Sequence, residues 1–161
     1  MDAGSDTEPV TLVRKGFTVR NLHRLRQLIR WAAGRVGLDS DRTGYLVIAV
    51  SEAAGNAITH GGGHGALELI QDDQRRLIAQ VSDHGPGLPP NISVTLPDPD
   101  ALSGRGLWLI HETCDRVDVT TGSGGTTVRM EMILTPRPTA ALPAEAHRRS
   151  ADPGADEQDP P

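Results

Sequence analysis

The sequence predicts an α+β domain, with helices packed on one face of a mostly antiparallel sheet. Two observations carry this prediction. The hydrophobic period alternates between strand-like and helix-like stretches in the order strand, helix, helix, hairpin, loop, helix, hairpin. Glycine- and proline-dense breaks fall between those stretches and mark where each one ends.

Each element has its own local reason. The run TLVRKGFTV, 11–19, is rich in β-branched residues and reads as a strand. From Asn21 the period becomes helical through Leu22, Leu25, Ile29, Ala32, Ala33 and Val36. Arg20, Arg24, Arg26, Arg30 and Arg35 fall largely on the other faces, as a solvated surface requires, and Gly37 ends the helix. A second helix follows with Asp39 and Ser40 as N-cap candidates, and Gly61-Gly62-Gly63 terminates it. GALELIQ and RRLIAQVSD alternate in part and flank a short DDQ turn, so they form a hairpin. The loop HGPGLPPNISVTLPDPDALSG precedes a third helix, RGLWLIHETC. DRVDVTTGSGGTTVRMEMIL gives two more β-rich runs joined at GSGG. Residues 1–9 and 135–161 lack an apolar pattern and are expected to be disordered flanks of one domain, 10–134.

Composition narrows the function classes. The chain has 161 residues and a net charge of −5, so binding nucleic acid directly through a basic surface is not indicated. Phe17, Trp31, Tyr45 and Trp108 are the whole aromatic supply, which makes the core aliphatic and leaves few platforms for base stacking. With the single Cys114 there is no intramolecular disulfide, and that residue reads as a buried small hydrophobe. No apolar run is long enough to span a bilayer, and the acidic start is unlike a secretory signal, so a cytoplasmic protein is expected.

Three short segments bear chemistry. In SEAAGNAITHGGGHG, Glu52, Asn56 and His60 recur every four residues and share one helical face. Buried polar groups without partners cost a few kcal/mol each, roughly, so this stripe is either solvated or binds something polar. Asn56 could serve a magnesium ion that leans on substrate phosphates, and Glu52 could accept a proton. His60 suits a helix end better than catalysis. His60 and His64 make a poor metal pair, because the glycines between them do not fix two imidazoles in space. Gly55 costs the helix about 1 kcal/mol against alanine.

In VSDHGPGLP, Asp83 ends an apolar strand ahead of Gly85 and Gly87. An aspartate there can accept a hydrogen bond from an exocyclic amine, although Asp-x-Gly-Pro-Gly is also ordinary turn chemistry. In SGRGLWLI, Gly104 and Gly106 bracket Arg105 where the third helix begins. Such a terminus can bind phosphate through free N–H groups, aided by the arginine; the alternative is a simple capped start.

In this order, and with GGTTV closing the last strand, the segments resemble the N, G1 and G2 boxes of the GHKL ATPases, a superfamily that includes gyrase, MutL and histidine kinases. The wording SEAAGNAITHG, SDHGPGLP, GRGLWLIHETCDRVDV and GGTTVRME is similar to the anti-sigma-factor serine/threonine kinases of the RsbW and SpoIIAB type, over about 11–134. The resemblance implies a two-layer Bergerat sandwich that binds ATP and magnesium. It makes Asn56 the magnesium ligand and Glu52 the general base for an acceptor hydroxyl. Asp83, supported by Thr126, would recognise adenine; Gly85 and Gly87 would shape the pocket, and Gly104, Arg105 and Gly106 would hold phosphates. Residues 88–103 would be the ATP lid. The implied partners are a STAS-domain anti-anti-sigma factor, phosphorylated on serine, and a sigma factor sequestered by a homodimer. Two readings stay open beside it: a nucleotide-binding regulatory module without kinase activity, and an RsbT-type switch kinase. A freestanding histidine-kinase ATP domain is disfavoured, because no dimerisation helix with a phosphoacceptor histidine precedes the domain.

Overall fold

A computed structural model describes residues 8–88 and 105–135. Strand β1 (Val10–Thr18) leads through a short 3₁₀ turn into helices α1 (Leu22–Val36) and α2 (Ser40–His60). The hairpin β2 (His64–Gln71) and β3 (Arg76–Ser82) follows, and beyond it come α3 (Arg105–Thr113), β4 (Arg116–Gly122) and β5 (Gly125–Ile133). These are the elements the periodicity predicts, and the fold is the expected α+β arrangement.

Local chemistry sets the helix boundaries. The Thr18 hydroxyl accepts from the Arg20 N–H while the Asn21 side chain accepts from the Thr18 N–H, a reciprocal cap that turns the chain out of β1. Gly37 closes α1 with φ at +81°, and the Asp39 carboxylate caps α2 by accepting from the Arg42 N–H at 2.9 Å.

The five strands lie in the order β1-β2-β3-β5-β4, every neighbouring pair antiparallel. Strand β5 therefore sits between β3 and β4, and its first residues run beside the end of β3. One face of the sheet is aliphatic, with Leu67, Leu69, Leu77, Ala79, Val81, Val128, Met130 and Met132 buried under the helices. Helix α2 packs against both other helices and the sheet. Ala49, Ala53, Ala54 and Ala57 are all buried along it, and such small side chains let the helices approach closely. The opposite sheet face carries ion pairs, among them Arg14 with Glu68 and Arg76 with Glu131, each at 2.8 Å.

Arg20 and the four α1 arginines are exposed, and Arg35 stacks its guanidinium 5.2 Å from the Trp31 ring centroid. Cys114 packs against the core, and burial pushes its thiol up to about 11. No helix among the described residues is long and apolar enough to cross a membrane. The expected disordered flanks lie outside the described residues except for Glu8, Pro9 and Thr135.

Candidate functional site

Asp83 is the first residue beyond β3 and is held from two sides. Its N–H donates to the Thr126 carbonyl at 2.9 Å, and the Thr126 N–H returns a bond to Asp83 Oδ1 at 3.2 Å. The Gly85 N–H donates to the same Oδ1 at 2.9 Å. One carboxylate oxygen is thus occupied by two backbone donors, while Oδ2 has no hydrogen-bond partner among the described residues. Thr126 is buried, and its hydroxyl lies 3.1 Å from that of Thr121 across the β4–β5 hairpin.

Glycines bring this loop close to the end of α2. A Cβ on Gly85 would come within 2.5 Å of the Gly61 Cα and 2.9 Å of the His60 carbonyl oxygen. A Cβ on Gly61 would strike the Asp83 carboxyl carbon. Glycine at both positions allows helix and loop to pack backbone to backbone. Gly87 has φ at +83° and lies against the Gly122 carbonyl, so a side chain there would be both strained and blocked.

At the other end, Glu52 and Asn56 project from α2 with intermediate exposure. Gly106, in the first turn of α3, covers them. A Cβ at Gly106 would sit 3.0 Å from Glu52 Oε2 and 3.5 Å from Asn56 Nδ2. Neither Glu52 nor Asn56 has a hydrogen bond or ion pair among the described residues. Arg105 is the first, exposed residue of α3. Gly104 and residues 89–103 of the expected lid lie outside the described residues.

Between the two ends is a narrow cleft. Asn56, Asp83, Gly87 and Thr126 line it. Glu52, Gly85 and Gly106 stand behind or beside that lining rather than in it. Ala53, Val81, Leu107 and Val128 supply an apolar wall, with His60 and Leu88 at its sides. The wall consists of core-facing positions of the strands and helices, so the periodicity contained it without marking it as a site. Thr121 was missed as well, because its link to Thr126 arises from the hairpin register.

An apolar wall beside a carboxylate oxygen without a partner among the described residues suits a flat ring bearing an amine. Among the described residues no group of three or more His, Cys, Asp or Glu could hold a metal ion. A magnesium ion carried largely by phosphates needs few protein ligands, and the unengaged Asn56 amide fits that demand.

The chain belongs to the histidine kinase-like ATPase family, whose model matches residues 17–132. Among solved structures it is similar to the RsbU and RsbW domains of Rv1364c from Mycobacterium tuberculosis. That match has a TM-score of 0.57 at 19% identity, over 78% of this chain and 33% of that one. The chain thus spans about a third of the length of that protein, and the likeness is one of fold. A histidine kinase domain from the blue-light activated histidine kinase of Erythrobacter litoralis EL346 matches with a TM-score of 0.48 at 17% identity, over 69% of this chain and 63% of that one. No curated protein matches the chain. Membership in an ATPase family makes ATP the ligand implied for the pocket.

Proposed function

We propose that the chain is an RsbW-type protein serine/threonine kinase, working in the cytoplasm as a homodimer built from the domain at 10–134. Its phosphoacceptor would be a serine of a STAS-domain anti-anti-sigma factor, and it would hold a sigma factor when that partner is absent. The observation that carries the reading is the pairing of Glu52 and Asn56, half-buried, without partners among the described residues, and under the Gly106 turn of α3. A pure binder has no use for a carboxylate held there.

Asp83 Oδ2 would accept from the adenine amine while the apolar wall packs against the ring. That places the phosphates toward Asn56 and the start of α3, where Arg105 and the α3 N–H groups favour negative charge. A magnesium ion on the phosphates, held by Asn56, would neutralise their charge. Glu52 would take the proton of the acceptor hydroxyl as it attacks the terminal phosphorus.

Radiolabelled ATP, magnesium and a panel of STAS-domain proteins test this. We expect transfer to a serine, lowered at least about a hundredfold in Glu52→Gln, with ATP affinity retained. ATP binding without transfer to any partner would favour the regulatory module that lacks kinase activity. Transfer only to a scaffold protein that controls a phosphatase would favour the RsbT-type reading.

A further inference from the structure

We infer that Thr121 is a positioning residue of the nucleotide pocket, an inference that rests on the adenine reading of Asp83 and Thr126. Thr121 lies at the end of β4, opposite Thr126 in the register, and its side chain joins two walls of the pocket. Its Oγ1 accepts from the Leu88 N–H at 2.7 Å and lies 3.1 Å from Thr126 Oγ1. Leu88 and Thr126 both line the pocket. Gly87, between Asp83 and that anchor, lies against the Gly122 carbonyl and would bring a Cβ within 3.0 Å of Thr121 Oγ1.

A single hydroxyl therefore ties the backbone at Leu88 to the Thr126 side chain. A threonine hydroxyl has one proton to give and two lone pairs. Thr121 uses one lone pair on the Leu88 N–H and shares a hydroxyl–hydroxyl hydrogen bond with Thr126 in which either can donate. When Thr121 is the donor, the Thr126 proton is left for a ligand acceptor. Beside it, Asp83 has both backbone bonds on Oδ1 and leaves Oδ2 as an acceptor. An acceptor and a donor side by side match the amine and the neighbouring ring nitrogen of adenine. Guanine presents a carbonyl where adenine has its amine.

Thr121→Val keeps the β-branched shape and removes the hydroxyl. We expect it to weaken ATP binding about threefold to tenfold, the effect of one net hydrogen bond. Thr121→Ser should restore affinity to within about twofold. The double variant Thr121→Val/Thr126→Val should bind more tightly than the product of the two single losses predicts, because the two hydroxyls share one hydrogen bond. In nucleotide-free protein, amide exchange at Leu88 should quicken in Thr121→Val and return to the wild-type rate in Thr121→Ser. Wild-type affinity in Thr121→Val overturns the inference, as does a serine variant as weak as the valine variant, or losses that multiply in the double variant. A wild-type chain that binds no adenine nucleotide overturns the reading of the pocket itself, and the role of Thr121 with it.

Discussion

Asp83 and Asn56 line one pocket, yet the protein holds them in opposite ways. Asp83 sits in a mesh of backbone bonds from Gly85 and Thr126, with glycine backbone packed around it. Asn56, like Glu52, stands on a helix with no partner among the described residues, facing a glycine. At the first end, the position of the carboxylate is built into the fold, since the bonds that orient it also join β3, β5 and the loop after β3. At the second end the side chains contribute nothing visible to folding and are free for a ligand. On the proposed function, a base-recognising group would profit from rigidity, whereas groups meeting phosphate, metal and an incoming hydroxyl would have to accommodate several states.

The contrast predicts opposite stability effects. Asp83→Ala leaves two backbone N–H groups without their acceptor and should lower unfolding free energy by about 2 kcal/mol, with ATP affinity reduced on the order of a hundredfold. Asn56→Ala should leave stability unchanged or raise it by about 0.5 kcal/mol, because alanine is the better helix former. Its ATP binding should lose its dependence on magnesium. Urea denaturation and calorimetric titration of the two variants measure both quantities, and an equal loss of stability would break the comparison.

A smaller effect is expected at Gly106. Alanine there improves helix propensity but brings a methyl to 3.0 Å from Glu52 Oε2, so the carboxylate must shift. Phosphoryl transfer should slow about threefold to tenfold with stability unimpaired, as single-turnover assays would show. The smallest effect on ligand binding belongs to Gly55, where an added Cβ meets nothing within 4 Å. Gly55→Ala should stabilise the chain by about 1 kcal/mol at unchanged ATP affinity. A fall in affinity would mean that the space beside Asn56 is used by the nucleotide.

Much of this was legible in the residues. The period of apolar positions gave every helix and strand among the described residues, because burial on one face leaves a mark wherever polar and apolar residues alternate regularly. Glu52 and Asn56 were visible as a four-residue step, and Asp83 as a polar residue ending an apolar strand. His60 read as a helix end, and it is the last residue of α2; that it also lines the pocket follows from Gly61 and Gly85 touching. Thr121 carried no signal, since a threonine near a hairpin turn is unremarkable until its cross-strand neighbour is known. Gly104 and most of the expected lid fall outside the described residues, so no geometry accompanies those assignments.

By itself the sequence determined the elements, the aliphatic core and the polar residues available for chemistry, since periodicity, caps and glycine breaks act over a few residues. Tertiary structure alone decided that β5 enters between β3 and β4, and this placed Thr126 beside Asp83 and Thr121 beside Leu88. It also set the start of α3 over Glu52 and Asn56. Those contacts join residues tens of positions apart, and only the packing of one sheet face under three helices brings them within hydrogen-bonding distance.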